Sequence, residues 1–264
     1  MIVVTGATGN VGAPLVQALT DAGEQVTAVS RTGSGARHVH ADLAHPETLR
    51  PALDGASALF LLAPGGADLT QVAELVPETG IQRVVLLSSQ GVATGRHSPG
   101  TEAAVRQWSP EWTVLRPGGF HSNTFAWAES IRTQRVAAAP FADVALPTVD
   151  PGDIAEVAAK ALTEPGHHGS TYVLTGPAPI TPRQQAAAIS DALGEPVRFH
   201  EQTRAEARAQ FLGFMPEHVA DATLDILGEP KPAEQEVSPD IERVLGRPPR
   251  AYADWAVRTA AVFK

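Results

Sequence analysis

The chain has 264 residues, 43% of them apolar and 19% charged, with a formal net charge of −9 and no cysteine. That length suits one large domain, or one domain carrying a grafted lobe, with an ample core. The acidic balance, without any basic cluster to neutralise phosphates, argues against nucleic acid as a direct partner, and the missing cysteines exclude disulfides, thiolate catalysis and cysteine-bound zinc.

Residues 1–5 (MIVVT) form a β-branched apolar run, the pattern of a parallel strand buried on both faces. A glycine turn follows, then a helix over 13–22 stopped by Gly23, and a second strand over 25–30. A weak third strand is expected near 38–40 and a helix over 46–53. A fourth strand is expected at 58–63, a helix over 69–78 closed by Gly80, and a fifth strand over 83–88. A helix over 100–108 leads into a sixth strand, 112–116, which ends in Pro117-Gly118-Gly119. This alternation is the signature of a doubly wound α/β sheet.

The rhythm then breaks down. Helices are expected at 153–162, 182–193, 204–214 and 252–262, with one more strand at 171–175 and Pro-rich stretches at 228–239 and 246–249. The predicted architecture is a Rossmann-like, doubly wound parallel sheet with a smaller, mostly helical C-terminal substrate lobe. The core is assigned to 1–118 with 148–176, and the lobe to 119–147 with 177–264.

Gly6, Gly9 and Gly12 stand directly between strand one and helix one, in the order G-x-x-G-x-x-G. Glycines there allow a tight turn and a close backbone approach to a pyrophosphate, which the helix N-terminus then binds. Strand two ends in Ser30-Arg31, with no acid before Asp42. An acid would hold the ribose hydroxyls of NAD, whereas Arg31, helped by Arg37, suits the 2′-phosphate of NADP(H). The expected cofactor is therefore NADP(H), with NAD(H) second.

With TGATGNVG at 5–12, Ser30-Arg31, Ala41-Asp42-Leu43, Ala63-Pro64, Ser88-Ser89, LRPGGF at 115–120 and VLGRPPRAYADWA at 244–256, the chain resembles the NmrA-like branch of atypical short-chain dehydrogenases/reductases. The likeness runs essentially end to end. It implies pyrophosphate contacts from Gly6, Thr8, Gly9, Asn10, Val11 and Gly12, with Arg31 at the adenosine phosphate and Asp42-Leu43 at the adenine. It further implies Ala63 and Pro64 along the ribose, Ser88 in the cofactor site, and Pro117, Gly118 and Phe120 beside the nicotinamide. The branch mixes quinone reductases and other NADPH-dependent reductases with redox-sensing regulators that bind the dinucleotide without turnover.

Ordinary short-chain reductases place a Tyr-x-x-x-Lys pair after strand five, where the tyrosine donates the proton. Here the tyrosines are Tyr172 and Tyr252 and the first lysine is Lys160, so that pair is absent from 86–100. Hydride transfer survives such a loss because the cofactor carries the chemistry. A quinone or activated alkene can take its proton from water. The favoured reading is an NADPH-dependent reductase of a small planar electrophile such as a quinone or enone. A non-catalytic NADP(H) sensor and a non-redox isomerase or cyclase are the alternatives.

His121 is the candidate proton donor, ahead of His97, while Glu102 reads as a helix anchor. Ser89, Gln90, Phe120, His121, Asn123, Phe125, Trp127, Phe141 and Phe214 are the candidate substrate pocket, with Phe211 and Met215 closing it. For each single aromatic residue, packing of the lobe is the competing reading. No metal-ligand spacing is present, since His167-His168 sits between glycines. A small-molecule substrate, no direct nucleic acid, no membrane span and a cytoplasmic location are expected, the last because MIVVTGATG enters a strand without a basic leader. One sequence leaves the oligomeric state open.

Overall fold

The computed structural model describes residues 1–33, 37–62 and 69–264. Among the described residues nine strands are present: β1 (Ile2–Thr5), β2 (Val26–Ser30), β3 (His38–His40), β4 (Ala58–Leu62), β5 (Arg83–Leu87), β6 (Glu111–Pro117), β7 (Val136–Pro140), β8 (Ser170–Leu174) and β9 (Arg198–Gln202). Seven of them form one all-parallel sheet in the order β3-β2-β1-β4-β5-β6-β8, the doubly wound arrangement expected from the alternation.

The chain divides into two compact units, each made of three segments. The first comprises Met1–Pro117, Pro151–Leu174 and Asp240–Gly246, and contains the sheet. The second comprises Gly118–Asp150, Thr175–Pro239 and Arg247–Lys264.

In the first unit, the central strands are buried on both faces because both are covered by helices. On one face Val3, Val29, Leu59, Leu61, Val84, Leu86 and Val114 pack with Leu49, Leu53, Leu69, Val72 and Val76. On the other, helices Gly12–Asp21 and Pro151–Thr163 lie side by side, contributing Leu15, Leu19, Ile154 and Val157 to the interior. Each fully buried side chain of this size contributes about 1.5–3 kcal/mol relative to exposure. The expected helix over 46–53 is instead a 3₁₀ turn, Pro46–Leu49, joined to a short α-helix, Arg50–Leu53. Pro51 has no N–H to continue a hydrogen-bonded ladder from the preceding turn, so it sits at the new helix start, where none is needed.

Residues 240–246 cluster with the sheet unit, not with the lobe to which the sequence assigns them. The reason is local: Asp240 accepts the backbone N–H of Val173 on edge strand β8 at 2.8 Å, and Ile241 behind it is buried. A donor of the open sheet edge is thereby satisfied.

The second unit is mainly helical but carries a small parallel sheet, β7 with β9, that the sequence reading lacks. Helix Glu217–Gly228 and the turns over His121–Gln134 also lie outside it. Trp127, Ile131, Ala137, Ile189, Tyr252, Trp255 and Phe263 form the core of this unit.

Glu102 fastens the strand ends on which the first unit's site is built. Its carboxylate, 1% exposed, receives Arg116 through Nε at 2.9 Å and Nη2 at 2.7 Å, Arg106 at 3.0 Å and the Ser88 hydroxyl at 2.7 Å. Burial pushes this carboxyl up, but the bonds from Arg116 and Ser88, with the charges of Arg116 and Arg106, hold it below the ordinary range. Glu102→Ala leaves a partly buried guanidinium without its counter-ion, for an expected loss of about 3 kcal/mol in chemical denaturation. A loss below about 0.5 kcal/mol, the level of a surface substitution, contradicts the anchor role.

Candidate functional site

The glycine turn is shaped by four hydrogen bonds within the first unit. Thr5 Oγ1 donates to Phe60 O at 3.0 Å and accepts from Leu62 N at 2.9 Å, which ties the end of β1 to β4. Ala7 N donates to Val29 O at 3.1 Å, tying the turn to β2, and Gly9 N closes on Gly6 O at 2.9 Å. Gly6 adopts φ +64°, and a Cβ on it would lie 2.4 Å from Leu62 Cδ2. A Cβ on Gly12 would lie 2.1 Å from Gly6 O, so no side chain fits where the helix begins. Thr8, Gly9 and Asn10 are exposed at the rim, while Val11 and Gly12 are buried and have only backbone to offer. No side chain caps the helix Gly12–Asp21. Ala13 N is given to Gly9 O at 3.0 Å and Pro14 has no N–H, so what the turn offers an anion is the helix dipole and the close backbone of Gly6–Gly12, a cradle that fits a pyrophosphate.

Most of the rest of the expected cofactor site follows the C-terminal ends of the same strands. Arg31 is exposed there, after β2, but Arg37 is not its neighbour: it precedes β3, its carbonyl accepting Ala28 N at 2.9 Å, and it lines a groove with Thr20, Glu24 and Val26 toward the start of β2, which corrects its expected role as helper. Asp42 turns its carboxylate onto Ala44 N at 3.1 Å, and Leu43 packs partly on the core. Ala63 and Pro64 lie outside the described residues. Ser88 directly follows β5, and its hydroxyl is given to Glu102. Ser89 caps the short helix Gln90–Ala93 by accepting from Gly91 N at 3.1 Å, and its hydroxyl also meets His97 Nδ1 at 3.1 Å. Gln90 is buried. Pro117 ends β6 opposite Leu174.

The aromatic residues expected over the nicotinamide belong to the second unit, and the structure corrects several of them. Trp127 is buried with its ring edge-on to Phe199 at 6.4 Å, and Phe125 packs against Trp255 at 5.1 Å and Phe263 at 6.0 Å. Both are core residues of the lobe, because rings of that area are best buried against one another. Phe141 stands at φ +54°, a left-handed conformation rare for a bulky residue, with its ring where a side chain on Gly228 would go. Phe214 is 66% exposed and touches Phe211 at 5.8 Å. Phe120 is half-buried, and Gly118 and Asn123 are solvent-accessible.

His121 also departs from its expected role as a proton donor. It is 1% exposed, enclosed by Tyr252 at 5.0 Å and Trp255 at 5.9 Å. Its Nε2 lies 2.9 Å from Thr148 O, which can only accept, so Nε2 carries the proton and Nδ1 is a bare acceptor with no partner. Burial pushes the imidazole from its ordinary 6.5 down to about 4, with Arg258 adding to the effect and the Asp150 charge and the Thr148 bond opposing it. At neutral pH the ring has no second proton to give. Tyr252 is likewise internal, sharing a 2.7 Å hydrogen bond with Thr124 while burial pushes its phenol up.

Sequence reasoning missed His38 and His40, which stand on one face of β3 beside the Arg31 end of β2. Their signal was the alternation His-Val-His, in which Val39 faces the core. Among the described residues no cluster of His, Asp and Glu could hold a metal ion, and no helix is long and apolar enough to cross a membrane.

A family model described as NAD(P)H-binding matches residues 6–165. The chain belongs to the NAD(P)H-binding family. Over its full length it is 36% identical to a (4-alkanoyl-5-oxo-2,5-dihydrofuran-3-yl)methyl phosphate reductase of Streptomyces griseus, spanning 99% of that protein. It is 32% identical to an NAD(P)H azoreductase of Xenophilus azovorans, again over 100% of this chain and 99% of that one. In fold it is similar to an Escherichia coli NADPH-dependent quinone oxidoreductase complexed with NADPH, with a TM-score of 0.79 at 24% identity, covering 98% of this chain and 99% of that chain.

The neutral, buried His121 makes stability depend on pH in a definite direction. Between pH 6.5 and about 4 the unfolded chain binds the proton that the folded chain refuses, so stability falls as pH is lowered through that window and levels below it. The loss attributable to this residue is about 3 kcal/mol. His121→Gln, which keeps an amide N–H for Thr148, is expected to flatten that part of the curve in denaturation measured from pH 7 to pH 4. An unchanged slope in the variant contradicts the assignment.

Proposed function

We propose that this protein is an NADPH-dependent reductase of a small planar electrophile, a quinone or an enone. The observation that carries this reading is the Gly6–Gly12 cradle with its uncapped helix, joined to a β2 end that offers Arg31 and no carboxylate. Backbone amides of the turn would hold the pyrophosphate, and Arg31 the adenosine 2′-phosphate. The chemistry that a reduced nicotinamide supplies is a hydride. On this chain's side, Pro117 and Gly118 would border the nicotinamide, and Gln90 is the proposed substrate contact of the first unit.

Neither His121 nor Tyr252 offers a mobile proton: His121 is neutral, and Tyr252 is held on Thr124. Protonation from water therefore fits best, and it suits substrates whose reduced form is a stabilised enolate or hydroquinone anion. The full-length relatives support a reductase, since one is named for reducing an oxo-dihydrofuran and another for azo reduction. Binding of NADP(H) without turnover, as a redox-sensing regulator, is the second reading, and it draws on the same lack of a positioned acid.

Oxidation of NADPH, followed by its absorbance against a panel of quinones, butenolides and azo compounds, separates the two. Turnover is expected with at least one class, and tight binding without turnover on any of them favours the sensor. Arg31→Glu is expected to weaken NADPH binding by about 10-fold or more, the worth of a charge-assisted hydrogen bond, while NADH changes little. Equal loss for both dinucleotides contradicts the NADP(H) preference.

A further inference from the structure

The ends of β2 and β3 carry more basic groups than Arg31 alone. Val39 packs on the core, so alternation turns His38 and His40 to the opposite face, where their rings meet edge to face at 4.7 Å. The register sets His40 beside Ser30, the last residue of β2, immediately before Arg31.

Hydrogen-bond partners fix where the ring protons sit. The Ser30 hydroxyl donates to Thr32 O, so its oxygen can only accept from His38 Nε2, 2.8 Å away. Nε2 of His38 therefore carries that ring's proton, and its Nδ1 is a buried acceptor without a partner. A second proton on His38 would enter a closed position with no acceptor for it. The approach is tight as well: a Cβ on Gly33 would lie 2.6 Å from His38 Nε2.

His40 has the opposite arrangement. It is exposed, and its Nδ1 faces the carbonyl oxygen of Arg31 at 3.4 Å, which can only accept. In the neutral ring the proton thus belongs on Nδ1, and Nε2 presents a lone pair that repels an anion. Protonation converts Nε2 into a charged donor beside the Arg31 backbone. Arg31 is a fixed cation at this end of the strands, and Arg37 one at the other end of β3. Glu24, which lines a groove with Arg37 and His38, and Asp42, which follows His40, are the carboxylates.

We propose that His40 is a specificity-determining residue for the adenosine 2′-phosphate, reading it only when the imidazole is protonated. Charged, it joins Arg31 on the phosphate and favours NADPH over NADH; neutral, it leaves that discrimination to Arg31. The inference rests on NADP(H) being the dinucleotide bound, and the experiment keeps the two claims apart.

Dissociation constants for NADPH and NADH are measured by fluorescence titration at pH 8.5 and 6.5, a window above the second ionisation of a phosphate monoester at about pH 6. In the wild type the preference for NADPH is expected to rise about 3- to 10-fold on going to pH 6.5, the scale of one charge-assisted hydrogen bond at an exposed site. His40→Gln is expected to hold the pH 8.5 preference at both values, and His40→Arg to hold the higher one at both. An equal rise in wild type and His40→Gln overturns the role of His40. A preference that is flat with pH in the wild type, yet lost in Arg31→Glu, overturns His40 alone and leaves NADP(H) standing. No preference at either pH, with no effect of Arg31→Glu, overturns both.

Discussion

A carbonyl oxygen and a missing side chain set the geometry of this molecule. Gly6 O stands where a Cβ on residue 12 would be, at 2.1 Å, so the first helix starts closer to β1 than any other residue would permit. The closeness aims the helix N-terminus at the sheet's C-terminal edge and keeps its amide dipoles close to the centre of the strand order. Thr5 and Ala7 then bond the same turn to β4 and β2, the two neighbours of β1. Arg31, at the end of β2, is thereby placed on the same edge as the cradle. Every group assigned to the dinucleotide in this unit takes its position from that crossing.

Most polar side chains that invite a catalytic reading turn out to be occupied. Ser88 is given to Glu102, Ser89 to a helix start and His97, His121 to Thr148, and Tyr252 to Thr124. Such bonds are what buried donors and acceptors require, and they hold strand ends and turns in place. On the proposed reading, a protein organised in this way would orient a dinucleotide and add little acid–base chemistry of its own, which is why electrophiles that accept hydride without help are the proposed reactants.

The sheet was legible because its strands are covered on both faces and therefore read as unbroken β-branched runs between glycines. β7 and β9 carry no such mark: VAAAP is rich in a residue indifferent to strands, and RFHEQ is largely solvent-facing. Glu217–Gly228 buries only Ala220 and Leu224, too sparse a stripe to stand out from its neighbours. The cofactor cradle was legible because glycine spacing reports backbone geometry directly. The lobe's aromatics were not, since a sequence shows that Phe125 and Trp127 are apolar but not that Trp255, Phe263 and Phe199 enclose them. His121 was misread for the same reason. Its cage includes Tyr252, whose hydroxyl bonds Thr124 across 128 positions of chain.

The threading of the two units has a consequence for biosynthesis. Each unit is assembled from three separate stretches, and the sheet unit receives its last piece, Asp240–Gly246, only after most of the other unit has been made. Until that piece leaves the ribosome, Asp240 cannot satisfy the N–H of Val173 on β8, and the sheet keeps an open edge. Nascent chains shorter than this carry a sheet able to pair with a neighbour's strand, so chaperone dependence should concentrate late in translation. The same interleaving means that neither unit can be excised as one continuous fragment: a cut at the end of β6 would strand β8 and its covering helix, Pro151–Thr163, on the wrong piece.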